Sequence, residues 1–116
     1  EGGFVQGQGW LTMEEVVWDK LGKIKTFSPS TYKIPAINDI PKKFNVEIFE
    51  KGLNVEKVVN KAKTTGEPPL MLAMSVFFAI KDAIASTANY KIAPDINAPA
   101  TPEKILLSIK KLKNIV

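Results

Sequence analysis

A chain of 116 residues and 12.8 kDa has the size of one domain and is too short for two ordinary ones. It contains no Cys, His or Arg, its 16 basic residues all being Lys, so this chain offers no disulfide framework, zinc finger, thiolate cluster, Ser–His nucleophile or guanidinium fork. The formal charge of +4 and pI near 9.3 come from lysines spread from Lys20 to Lys113, which reads as a solvated surface, with nucleic acid and membrane not expected as partners.

The first ten residues carry no basic segment or cleavage site and read as the interior of a domain. Residues 4–15 suit a helix in spite of the glycines, with Trp10, Leu11 and Met13 apolar and Glu14 and Glu15 solvated. Val16-Val17-Trp18 and Ile24-Lys25-Thr26-Phe27 flank a loop containing Gly22, which predicts a β-hairpin. Asp19 and Asp39 read as turn residues. Pro29 and Pro35 hold the next stretch extended or turning. Phe44, Val46 and Ile48 alternate with Asn45 and Glu47, the pattern of a half-buried strand ending near Phe49. Val55 to Lys63 suits a strand or a short helix.

Leu70 to about Ser86 predicts a helix with apolar residues on nearly every side until Lys81-Asp82, hence a helix inside a large core. Its continuous apolar run ends at Ile80, short of the roughly 20 residues a bilayer span needs, so a soluble, cytoplasmic protein is expected. Asn89 to Ala100 reads as loop. Thr101-Pro102-Glu103 is a strong helix start, and the helix to about Lys113 places Ile105, Ile109, Leu112 and Val116 on one face. The whole predicts an α+β fold: a β-hairpin and an additional strand with a buried central helix and an amphipathic C-terminal one.

One constellation carries chemistry. In Gly66-Glu67-Pro68-Pro69 the glycine allows a tight turn and close approach of a ligand. Pro68 pushes Glu67 toward extended backbone, and Pro69 suits a helix start. Glu67 is thereby a carboxylate held at the positive end of a helix, which suits a general base, although a Glu before a Pro-initiated helix is more commonly a helix-dipole or capping residue with no catalytic role.

Four blocks together resemble a known family. They are Glu1 to Glu15, Ser28-Pro-Ser-Thr-Tyr-Lys-Ile-Pro35, Gly66-Glu-Pro-Pro-Leu70 with Phe77-Phe-Ala-Ile-Lys-Asp-Ala83, and Ala98-Pro-Ala-Thr-Pro-Glu103. The chain is similar to molybdenum hydroxylases of the xanthine dehydrogenase type, more to the bacterial molybdopterin-binding subunit than to the long animal chain. The resemblance implies that Glu67 is the catalytic base, taking the proton from a molybdenum-bound hydroxyl that then attacks an electron-poor ring carbon. It further implies that Thr65 and Gly66 border a molybdenum–molybdopterin cofactor, and that [2Fe–2S] clusters and FAD lie in other parts of the enzyme or in a partner subunit.

Thr64-Thr65 departs from the family's Ala-Val, which leaves an aldehyde or another heterocycle open beside a purine as substrate. The family's glycine-rich cofactor loops and substrate clamps are not in this chain. Residues 1–116 therefore read as the C-terminal portion of a larger cofactor domain, inactive alone and oligomeric in the intact enzyme. The competing reading is a free-standing Lys-rich interaction module built on the last helix, which would bind nucleic acid or anionic lipid in a salt-dependent way.

Overall fold

The computed structural model describes residues 1–52, 54–64 and 66–115. Three helices carry it: α1 (Gly2–Thr12), α2 (Glu67–Ser86) and α3 (Pro102–Ile115), with short 3-10 turns at Ile37–Asp39 and Val59–Lys61. No strand forms among the described residues, so the expected α+β class is not what is observed.

The predicted hairpin is reduced to one antiparallel bridge between Trp18 and Ile24. Its loop closes as expected. The Asp19 carboxylate accepts from the Leu21 and Lys23 N–H groups at 2.9 Å, and Gly22 takes φ +79°. The ladder then stops after Lys25 N–H donates to Val17 O at 2.7 Å, because the Val17 N–H turns to the Thr26 hydroxyl instead of the opposite backbone. Val16, Val17, Trp18 and Ile24 remain 44–57% exposed, and an uncovered two-stranded ribbon is marginal in water. The additional strand at 44–49 is also not realised: among the described residues its backbone bonds to no other segment, the Phe49 C=O accepting only from Gly52 N–H in a local turn. Val59–Lys61 settles the ambiguous stretch as a single 3-10 turn.

The core lies between α2, α3 and the irregular segment joining them. Ile84, Ala88, Ile96, Ala100 and Leu112 are buried together, with Phe77, Ile80, Ile92, Ile105 and Ile109 packed around them. Ile105, Ile109 and Leu112 are the predicted inner face of α3; Val116, expected on the same face, lies outside the described residues. Thr101 caps α3 as its sequence predicts, accepting from the Lys104 N–H at 3.4 Å.

The central helix is not the buried element expected. α2 starts at Glu67 and runs 20 residues, yet only Ala73 and Ile84 are buried. It is long and apolar enough to cross a membrane by length and composition, with a mean hydropathy of 1.5 over its best window and 17% of that window buried. An apolar helix demands cover, and these residues supply it on one side only. The total surface states the same shortfall. It is 9376 Å², roughly half as much again as the ~6,300 Å² of a compact monomer of this mass. The radius of gyration is 18.2 Å, against about 13 Å for a globule of this length.

α1 is held in place by tertiary bonds from several segments. Gln8 Nε2 donates to Asp39 O at 2.7 Å, and Ala100 N–H donates to Leu11 O at 2.7 Å. Glu14 and Glu15, expected to be solvated, act as tethers: Tyr32 Oη donates to Glu14 Oε2 at 2.7 Å, and Lys104 pairs with Glu15 at 3.1 Å. The Gln8 Oε1 is buried without a partner among the described residues, which costs roughly 1–3 kcal/mol unless water or a further group donates to it.

The Ile37–Asp39 turn under Gln8 is closed by the Asp39 carboxylate. The Ala36 N–H, donating at 2.7 Å, and the Lys33 ammonium at 3.0 Å hold the Asp39 carboxyl below its ordinary 3.8. A depressed folded pKa gives stability that is present above the ordinary value and is lost as pH falls through the lower, folded one. Acidifying below pH 3.8 should therefore release the turn, read as a shift of the Ala36 amide resonance that Asp39→Asn abolishes.

Candidate active site at the start of the second helix

The packing of α1 on α2 decides where the site lies. Gly3 and Gly7 are one helical turn apart and face α2, where a side chain would not fit. A Cβ at Gly3 would sit 2.8 Å from Pro69 Cβ, and one at Gly7 would sit 2.7 Å from Ala73 Cβ. Both are closer than carbon atoms approach, so glycine at these positions sets the distance between the two helices.

Positions 3, 6, 7 and 10 share one face of a helix. Seating Gly3 and Gly7 on α2 brings Gln6 and Trp10 to the N-terminal end of α2. There a cavity of about 220 Å³ is lined by Gly3, Gln6, Gly7, Trp10, Gly66, Glu67 and Leu70. It contains a carboxylate at a helix start, a side-chain amide able to donate and accept, and a half-exposed indole.

The structure thus joins Glu67 and Gly66 in one cavity with four α1 residues, Gly3, Gln6, Gly7 and Trp10, that the sequence reading does not assign to a site. A signal for them existed. The i, i+4 pair Gly3/Gly7 beside the i, i+4 pair Gln6/Trp10 is legible as a small-residue seam with a polar–aromatic edge. Thr65, the remaining predicted cofactor neighbour, lies outside the described residues.

Gly66 differs from its expected role. Its φ of −79° and ψ of −42° are open to any residue, and a Cβ there would meet nothing within 4 Å. Neither a tight turn nor packing against the described residues requires glycine at this position. Glu67 is the first residue of α2, so the helix begins before the proline pair and not after it. Among the described residues no three His, Cys, Asp or Glu side chains converge.

Residues 1–41, which include all of α1, match the family described as the molybdopterin cofactor-binding domain. The chain is 47% identical over 111 residues to "Xanthine dehydrogenase/oxidase" of Felis catus, an alignment covering 90% of this chain and 8% of that protein. It is 47% identical over 111 residues to "Xanthine dehydrogenase" of Dictyostelium discoideum, covering 93% of this chain and 8% of that one. The corresponding protein of Oryza sativa subsp. japonica is 42% identical over 119 residues, with coverage of 93% and 8%. This chain belongs to the xanthine dehydrogenase family. It spans about 8% of the length of these relatives, and its α1, the wall of the Glu67 cavity, falls in the stretch matched to the cofactor-binding family.

A xanthine dehydrogenase cofactor fits what the cavity presents. Three glycines, Gly3, Gly7 and Gly66, keep its walls low, its polar side chains are Gln6 and Glu67, and no metal-ligating cluster competes among the described residues. Gly66→Ala tests this. In the full-length protein it should leave the folding of α2 unharmed, since the added methyl meets open space. Molybdenum and pterin content should nevertheless fall; unchanged content would mean that nothing approaches Gly66 closely.

Proposed function

We propose that this chain is part of the molybdenum-cofactor domain of a hydroxylase acting on a purine or related electron-poor heterocycle, and that Glu67 is its general base. The observation that carries the reading is the shared cavity. Glu67 and Gly66 of the Gly-Glu-Pro-Pro motif face Gln6, Gly7 and Trp10 of α1, and α1 lies within the stretch that matches the molybdopterin-binding family.

When bound, the molybdenum–molybdopterin group would supply the two-electron oxidation. The chain's own residues would do the rest. A carboxylate oxygen of Glu67 accepts the proton of the attacking hydroxyl, which raises its nucleophilicity toward the ring carbon. The Gln6 amide offers a donor and an acceptor to the polar edge of the bound group, and the Trp10 indole offers a flat wall to a planar ring. Gly66 leaves space for close approach, and Thr65 is assigned the same neighbourhood by its place in the motif alone. Its hydroxyl, where the family commonly has valine, is the feature of this chain that would bear on substrate choice.

The electrons would leave through [2Fe–2S] and FAD groups in other parts of the enzyme or a partner subunit. The excess surface, with the apolar α2 largely uncovered, is what a portion of a larger domain presents before the remainder covers it. Glu67→Gln, which keeps size and shape and removes the base, separates this reading from a helix-capping role, provided molybdenum content is measured beside turnover.

A further inference from the structure

Gln8 is buried, with 9% of its surface exposed, and only half of its amide is paired. Nε2 donates to the Asp39 carbonyl at 2.7 Å, across 31 residues of chain, while Oε1 has no partner among the described residues. A leucine or methionine would fill the same place without an orphaned acceptor, so packing alone does not call for glutamine. What the amide adds is direction, a donor that must meet one carbonyl at a restricted angle.

Direction matters because of how α1 sits on α2. Gly3 and Gly7 let the two helices approach, yet residues without side chains do not interlock as ridges and grooves do. They fix the separation and oppose rotation of α1 about its own axis only weakly. Gln6 and Trp10 lie on one side of this seam and Gln8 on the other, roughly 200° around the helix from Gln6. A roll that broke the Gln8–Asp39 bond would carry Gln6 and Trp10 across the Glu67 cavity. The carbonyl is a firm anchor: the Asp39 carboxylate accepts from the Ala36 N–H at 2.7 Å and meets Lys33 at 3.0 Å. Pro35 packs beside it on α1, where a Cβ at Gly9 would sit 2.5 Å from Pro35 Cγ. Phe44 against Phe4 and the Ala100 N–H on Leu11 O hold the two ends of α1; Gln8 lies between them, level with Gln6 and Trp10.

We infer that Gln8 is a positioning residue, whose buried hydrogen bond to the Asp39 carbonyl sets the rotation of α1 and so holds Gln6, with Trp10, over Glu67. Gln8 does not itself line the cavity and acts through the residues that do. The inference rests on reading that cavity as the cofactor and substrate site.

Gln8→Met in the full-length enzyme keeps the length of the side chain and removes the donor. It should lower kcat/KM about 10- to 100-fold, as a misplacement of up to roughly 1 Å does, with molybdenum content and urea midpoint kept. In a Gln6→Ala background the same substitution should cost at least about threefold less, because its effect is routed through Gln6. Should Gln8→Met fail to fold, Asp39→Ala loosens the anchoring turn without touching α1 and should give the same coupled loss. An undiminished loss in the Gln6→Ala background, or a lower urea midpoint with kcat/KM per molybdenum unchanged, would overturn the positioning role. So would wild-type kcat/KM in both Gln8→Met and Asp39→Ala when Gln6→Ala itself is impaired, and the reading of the cavity would then stand. Wild-type turnover and molybdenum content in Gln6→Ala alone would sink that reading and this inference with it.

Discussion

Glu67→Gln in the full-length protein is expected to lower turnover by roughly 10²- to 10⁴-fold, the range a positioned general base contributes, with molybdenum and pterin content unchanged. The amide occupies the same space at the start of α2 but cannot take a proton. Glu67 is exposed in the cavity and bonded to no other side chain among the described residues, so its replacement disturbs no internal network. A loss shared by kcat and kcat/KM would place the defect in the chemical step. Turnover within a factor of two of wild type would assign Glu67 to the helix start alone.

Gly7→Val is expected to destabilise the protein by roughly 1–3 kcal/mol through overpacking. The added carbon would fall 2.7 Å from Ala73 Cβ and 3.3 Å from the Leu70 Cα, neither of which can move without moving α2. The gain in helix propensity over glycine is only a few tenths of a kcal/mol and does not compensate. Gly2→Ala is the control in the same helix: its Cβ would meet nothing within 4 Å, so it should be neutral or stabilising by up to about 1 kcal/mol. Because Gly7 also lines the Glu67 cavity, the valine should lower cofactor content along with the urea midpoint. Equal effects of the two substitutions would show that α1 does not seat on α2 through its glycines.

What was legible in the sequence depended on how locally each feature is determined. The start of α3 was readable because Thr101, Pro102 and Glu103 act on the backbone within one turn, and the capping contact forms within three residues. The existence of α2 was readable for the same reason. Its burial was not. An apolar helix must be covered somewhere, but composition does not say by which residues, and these leave Met71, Leu72 and Phe78 55–65% exposed.

The two strand readings failed because a strand is a tertiary object. Its hydrogen bonds go to another segment, so a pattern that fits a strand at 44–48 produces none when no neighbour is present. Glu14 was misread as solvated because its partner, Tyr32, is 18 residues away. Gln6 and Trp10 share the face of the glycine seam by their spacing, but only the seating of α1 on α2 shows that this face meets Glu67.

The sequence by itself determined the helical segments, the absence of Cys, His and Arg side chains, and the presence of a carboxylate at the start of α2. These follow from residue type and from spacings of one to four positions. Only the tertiary structure decided that Gly3 and Gly7 seat α1 against α2, and hence that Gln6 and Trp10 stand over Glu67. The physical reason is contact distance: two helices separated by more than fifty residues of chain close on each other because, at two positions, there is no side chain between them.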